Sequence, residues 1–406
     1  MRKIETKTSI ITLVVALIVF SAAYAHRSLN EPSSPEQNAP AQIVPAQNVS
    51  MIFVENSDGT GNGAARLVRS MQIHGVNLHQ TRASPAGLIA SGDVVILKIN
   101  AQWDERGGTN TDLIRGVIQE ILNHPEGFRG EIIVADNGQG QFGSAPGGGG
   151  SLDWARNNAV DQSQSTLRVI RSFQQRGYRV TGVLWDTFTT TRVQEFNTGD
   201  TRDGFVVEDT VRDTGIAVSY PKFTTEYGTQ VSFKEGIWNA ATRTYNSEVL
   251  KVINMPVLKS HRGFQVTAAV KNYMGVPSDR LTRERGRAHN SVGTGGMGTL
   301  MVETRMPVLN IMDMIWIAPD GGPRSQYSTA MQINKIAAST DPVALDHWAS
   351  RAVLIPAAPA AGRARMNPDG TEPGTFGHWL RLSMNELHRA GIWATMNEAE
   401  MRVIGP

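Results

Sequence analysis

Within fourteen residues of one stretch, VINMPVLKSHRGFQVTAAVKNYMG (Val252–Gly275), fall Lys259, Ser260, His261, Arg262, Thr267, Lys271 and Asn272. Lys259 and Lys271 stand among apolar neighbours, where an ammonium is costly unless it is paired. They read either as holders of an anionic group, carboxylate or phosphate, or as members of surface ion pairs. His261 and the isolated His289 are of the right type for proton transfer, since a free imidazole titrates near pH ~6.5. These four residues form the candidate catalytic set. The histidines could equally ligate a metal with Asp313 or Asp341. No H-x-H or H-E-x-x-H spacing accompanies them, so a metal stays open and is not favoured. Thr267 either bonds a ligand or back-bonds its own helix. Lys271 and Asn272 follow it by about one turn, which puts the three on one side. No nucleophile-elbow motif is visible, which argues against a serine acyl-enzyme.

The elements that must position these residues alternate. Near-continuous apolar runs, Asp93–Ile99, Glu131–Asp136, Tyr178–Asp186, Glu248–Ile253 and Val308–Asp313, have the character of buried parallel strands. Met51–Val54 and Asn334–Ala338 are shorter strands. Helical spacing covers Ala65–Ile73, Thr111–Leu122 and Ser163–Gln175. The expectation is an α/β fold, a mostly parallel sheet with helices on both faces. Thr187–Thr244 breaks the rhythm with short Thr-rich extended pieces and predicts an antiparallel insertion at about 187–245. Helical patterns at Trp379–Arg389 and Met396–Arg402 predict a helical extension from about residue 357.

Open parallel sheets bind ligands beyond the carboxyl ends of their strands. Lys98 and Asn100 follow one strand, Asp136 and Asn137 a second, Lys259 and His261 a third. Asp313 lies late in a fourth and Asp341 follows a fifth. Five strand ends are thus expected on one edge. Asp341-Pro342 also has the form of a helix cap followed by proline at the first helical position. Asp346 lies a turn further and can point inward. Lys98, Asn100, Thr267, Asn272, Asp313, Asp341 and Asp346 are the candidate ligand-binding residues. Arg280, Arg283, Arg285 and Arg287 read as a solvated loop with Glu284 among them. Gly59, Gly61 and Ala64 match G-x-G-x-x-[GA], but no acidic residue occurs between Asp58 and Asp93, so a tight turn is expected rather than a dinucleotide site.

The front of the chain has the parts of a secretory signal. Arg2, Lys3 and Lys7 precede the apolar run Ile10–Phe20 and the small-x-small site Ala23-Tyr24-Ala25. The apolar run is shorter than the ~20 residues of a spanning helix, and no twin-arginine pair occurs. Export by the general secretory pathway to the periplasm or beyond is expected, with membrane contact only if the signal stays uncleaved as an anchor. His26–Ser50, rich in Pro, Gln, Asn, Ser and Ala, reads as a disordered tether, and the folded part is expected over 51–406. The 39 basic and 37 acidic residues become 36 of each once the signal's three and one are set aside. A neutral remainder argues against nucleic acid as partner and leaves a small anionic molecule. The chain has no cysteine, which suits an oxidising compartment and excludes thiolate metal sites and cysteine nucleophiles.

VVILKIN (Val94–Asn100), VINMPVLKSH (Val252–His261), VTAAVKNYMGV (Val266–Val276), His289 and STDPVALD (Ser339–Asp346), in this order and spacing, resemble the DUF362 family of bacteria and archaea. The resemblance spans roughly Asp93 to Leu354 and implies an α/β domain of unassigned function. Many members carry ferredoxin-type cysteines and are described as iron–sulfur proteins. With no cysteine here, no iron–sulfur cluster is expected, and the cofactor is unknown. The expected role is binding of a small carboxylate or phosphate at the carboxyl edge of the sheet. Turnover of that ligand, binding without turnover and a His/Asp metal enzyme are all left open.

Overall fold

The computed structural model describes residues 48–60, 62–138, 149–282, 284–324 and 326–406. The expected signal segment and the tether up to residue 47 lie outside them, as does 139–148 of the Gly-rich loop. In chain order the first half runs β1 (Ser50–Asn56), α1 (Asn62–Ile73), the short parallel pair β2 (His79–Gln80) and β3 (Ile89–Ala90), β4 (Val94–Lys98), α2 (Thr111–Leu122), β5 (Glu131–Asp136), α3 (Thr166–Gln174) and β6 (Val180–Leu184). Asn110 and Ser165 cap α2 and α3 through their side chains, satisfying amides that the first helical turn leaves open. Gly59 takes φ +87, the left-handed value a glycine turn allows, and Gly61 lies outside the described residues.

Five strands then form a separate antiparallel sheet: β7 (Gly204–Val211), β8 (Ala217–Thr224), β9 (Gln230–Ser232), β10 (Gly236–Asn239) and β11 (Thr244–Asn246). The main sheet resumes with β12 (Leu250–Asn254), β13 (Val257–His261) and β14 (Gln265–Thr267). After them come the short helices α4 (Ala269–Asn272) and α5 (Ala288–Ser291), then α6 (Gly296–Glu303). The chain closes with β15 (Leu309–Ala318), β16 (Met331–Ser339), α7 (Pro342–Ala349), α8 (Ile355–Ala357), α9 (Ala360–Met366), α10 (Phe376–Arg389) and β17 (Met401–Ile404).

The main sheet has the order β17-β1-β16-β15-β12-β4-β5-β6. β15, β12, β4, β5 and β6 are mutually parallel. β13 continues the line of β12 past Pro256, pairs parallel with β15 and turns back into β14. Alternate residues feed two cores. Val94 and Ile96 of β4 belong to one, with the second sheet, α6, α7 and α10. Val95 and Leu97 belong to the other, with α1, α2 and α3. Both faces are therefore covered, which is why these strands read as unbroken apolar runs. Among the described residues no helix is long and apolar enough to cross a membrane.

Three expectations change. β16 runs antiparallel to both β15 and β1, so Asp341, which follows it, leaves the sheet on the opposite edge. Met396–Arg402 is not a helix: a short turn at Glu398–Glu400 leads into β17, which pairs in parallel with β1. The open edge of β1 offers backbone partners there. β1 itself begins at Ser50, inside the expected tether, where the Ser50 hydroxyl donates to Asp341 (2.6 Å).

Candidate functional site

A polar row crosses four adjacent strands. Lys98 of β4 is in register with Asn254 of β12, Asn254 with Asn310 of β15, and Asn310 with Ser339 of β16. All four are buried, so each polar group needs a partner. Asn310 Nδ2 donates to the Ser339 carbonyl (3.1 Å), and Asn254 Nδ2 to Asn310 Oδ1 (2.9 Å) and the Ala269 carbonyl (3.0 Å). Asn272 Nδ2 closes the row by donating to Asn254 Oδ1 (2.8 Å). The asparagines thus fix α4 over the sheet.

At the end of the row Lys98 Nζ lies 2.8 Å from Asp136 Oδ1 and donates to the Ile99 carbonyl at 2.9 Å. Asp136 Oδ2 accepts from the Ala101 amide (2.7 Å). The pair is almost fully buried, and burial pulls the Lys98 ammonium below its ordinary range while Asp136 pulls the other way. Gly275 passes directly over it: a Cβ there would stand 2.0 Å from Asp136 Oδ1 and 2.3 Å from Lys98 Nζ. Only glycine fits at this position.

Lys259 projects from β13 and donates to the Gly107 carbonyl (2.6 Å). Lys271 projects from α4. No hydrogen bond or ion pair engages its ammonium among the described residues, and its neighbour is the Phe264 ring at 5.4 Å. Burial brings both lysines down to about 7, reinforced by the mutual repulsion of the cluster. α4 is held by Asp346, whose carboxylate accepts from the Ala269 (2.6 Å) and Val270 (2.9 Å) amides. Burial pushes that carboxyl up to about 8.

The histidines flank Phe264, with ring centroids 5.1 Å (His261) and 5.2 Å (His289) away. Trp379 of α10 anchors this turn by donating to the Phe264 carbonyl (3.0 Å). His261 Nδ1 accepts from the amides of Gly263 and Phe264, both at 3.1 Å, which leaves the proton on Nε2. Burial, then Lys271, His289 and Lys259, push its pKa down to about 2. At neutral pH His261 therefore enters as a neutral Nε2–H donor and does not titrate. Asp279 places His289 by accepting from the Ala288 (2.7 Å) and His289 (3.1 Å) amides. Burial and Lys271 lower the His289 imidazole too.

These side chains meet at a cavity of ≈ 260 Å³. Of the residues singled out from sequence, Lys98, Asn100, Lys259, His261, Thr267, Lys271, Asn272 and His289 line it. Three lysines face one carboxylate, Asp136. Thr267 sits in β14, so it has no helix to back-bond; among the described residues neither its buried Oγ1 nor the buried Oδ1 of Asn100 has a hydrogen-bond partner.

Asp313, Asp341 and Asp346 do not line the cavity. Asp313 is mid-strand in β15, where it accepts from the Asn110 amide (2.8 Å), Asn158 Nδ2 (3.2 Å) and the Ile315 amide (3.0 Å). It fixes the loop whose Gly107 carbonyl receives Lys259, and burial pushes its carboxyl up to about 7. Asp341 caps α7 through the Val343 (2.8 Å) and Ala344 (3.0 Å) amides. Among the described residues no three His, Asp or Glu side chains converge as a metal would require. Arg280, Arg285 and Arg287 are exposed and outside the cavity, and Arg283 lies outside the described residues.

Sequence reasoning passed over Gln102, Trp103, Met274, Gly275 and Pro323, which complete the wall, and the Asn254–Asn310 link beneath it. Gln102 and Trp103 directly follow the VVILKIN strand end, and that adjacency was the available signal. Gly275 closes VKNYMG, but nothing local says what it must clear.

Residues 229–351 match a family model described as Domain of unknown function (DUF362). The matched span contains Lys259, His261, Thr267, Lys271, Asn272 and His289, whereas Lys98, Asn100 and Asp136 lie before it. No curated protein and no solved structure matches the chain.

Proposed function

We propose that this chain, which carries a DUF362 region at residues 229–351, binds a small anionic molecule, a carboxylate or phosphate, in the three-lysine cavity. The observation that carries the reading is the uncompensated charge: among the described residues one buried carboxylate stands against three buried lysines, and none supplies Lys271 with a counter-charge. Holding an ammonium in such a place is unfavourable without an anion beside it, so an anion bound there supplies the missing counter-charge. Two orphaned acceptors or donors, Asn100 Oδ1 and Thr267 Oγ1, and the His261 Nε2–H group add directional bonds. The cavity lies just under the ~300 Å³ at which drug-sized pockets begin, which favours a metabolite of few heavy atoms. We further propose that the binding takes place after export through the general secretory pathway, on the strength of the basic, apolar and small-x-small segments at the front.

Calorimetry with phosphate, acetate and pyruvate tests this reading. The wild-type protein is expected to bind at least one of them in a single site, and Lys271→Met to weaken that binding at least tenfold, about 1.4 kcal/mol. Equal affinity in the two proteins, or no binding of any of the anions, refutes it.

A further inference from the structure

We propose that Lys271 is an amine nucleophile that forms an imine with the carbonyl carbon of a small α-oxo acid, whose carboxylate lies beside Lys98 and Lys259. This rests on the anion reading of the same cavity and adds a covalent step to it.

The three lysines are not equivalent. Lys98 is bound to Asp136 and the Ile99 carbonyl, and Lys259 to the Gly107 carbonyl. Among the described residues Lys271 alone of the three is uncommitted; it is 5% exposed and set against an aromatic ring rather than an acceptor. A lysine becomes a nucleophile when burial or a neighbouring cation removes its proton and nothing else occupies its lone pair. Lys271 meets each condition: burial and the Lys98 charge hold it at about 7. Around it stand the groups an oxo acid needs. Two cations can take its carboxylate, and the Thr267 hydroxyl and His261 Nε2–H are donors for the carbonyl oxygen. The cavity admits a ligand of this size.

The step balances without an oxidant or reductant. The neutral Nζ lone pair attacks the carbonyl carbon, the C–N bond forms, and the carbonyl oxygen takes a proton from the Lys259 ammonium. The nitrogen gives up its own proton to the Lys259 amine so regenerated. Lys259 then protonates the hydroxyl, the C–O bond breaks, water leaves, and the protonated imine remains. An imine on an α-oxo acid draws electrons from the adjacent carbon, so the reaction class served is one that breaks a bond next to the former carbonyl.

The test is reductive trapping. The folded protein is incubated with pyruvate or glyoxylate, each at a concentration that saturates its thermal shift, and sodium cyanoborohydride supplies hydride to the imine carbon. Peptide mass spectrometry then locates the secondary amine. The expected result is one equivalent of carboxyalkyl-lysine at Lys271, formed faster as pH rises through about 7, absent in Lys271→Met and, in Lys259→Met, formed at least tenfold more slowly but still at Lys271. Mapping the adduct in the wild-type protein needs no variant to fold. A saturable thermal shift without an adduct, or an adduct at another lysine, overturns the imine and leaves the anion reading standing. A shift with phosphate but with neither oxo acid also overturns the imine. No shift with any anion overturns both.

Discussion

Replacing Gly275 with alanine perturbs the site through a single methyl group. The new Cβ would stand 2.0 Å from Asp136 Oδ1, 2.3 Å from Lys98 Nζ and 2.8 Å from Lys98 Cε, all inside the distance at which heavy atoms can coexist. The obstacles are side-chain ends, but neither is free to swing. Asp136 is held by the Ala101 amide, and the side chains of the pair are only 1% and 3% exposed. Either the pair separates inside the protein or the Gly275 segment lifts away. Breaking a buried ion pair while leaving a charge behind costs roughly 3–5 kcal/mol. Partial lifting of the segment relieves some of that, so a loss of about 2–4 kcal/mol is expected for Gly275→Ala. Urea denaturation measures it. The explanation is specific to the pair, so the same substitution in a Lys98→Ala background, where the Lys98 Nζ and Cε contacts are gone and only the one with Asp136 Oδ1 remains, is expected to cost less than in the wild-type background by about 1 kcal/mol or more. A loss below about 1 kcal/mol in the wild-type background, or an equal loss in both, would refute the reasoning.

Asp346→Ala removes both acceptors of the Ala269 and Val270 amides. It is expected to cost about 2–3 kcal/mol in urea denaturation and to weaken the proposed anion binding although Asp346 does not line the cavity, because α4 carries Lys271. Asn254→Leu breaks the link between Asn310 and Asn272 and is expected to destabilise by about 1–3 kcal/mol; an unchanged midpoint would contradict the role given to the row. Lys259 and Lys271 are held at about 7 in the folded chain against an ordinary 10.5. The folded state therefore binds fewer protons than the unfolded chain between these values, so their contribution favours folding above about pH 10.5 and is lost as pH falls toward 7. A Lys259→Met, Lys271→Met double variant is expected to lose that pH slope in denaturation curves. Anion binding runs the other way, since it favours the ammonium. Calorimetry near pH ~7 in buffers of different ionisation enthalpy should show proton uptake, and affinity should fall as pH rises.

The strands VVILK and EIIVAD were readable because a strand covered on both faces must be apolar throughout. Lys259, Lys271 and their neighbours could be singled out because charge in an apolar context is costly, and the structure brings them to one cavity. The direction of β16 was not, since pairing direction is set by what lies beside a strand and leaves no mark in its composition. Asp341 was thereby assigned to the wrong edge, although Asp-Pro announced its capping role. Asp313 illustrates a different limit. A carboxylate in a strand looks the same in sequence whether it faces a ligand or, as here, the Asn110 and Ile315 amides. The uncommitted state of Lys271 emerges only once Asp136 and Gly107 are seen to engage the other two lysines.

Crystals of the protein soaked with pyruvate or phosphate test the central claim most directly. The account predicts an anion in the cavity within hydrogen-bonding distance of Lys271 Nζ and of Thr267 Oγ1 or Asn100. An anion seated only at surface arginines such as Arg285 and Arg287, with water alone beside Lys271, would contradict it.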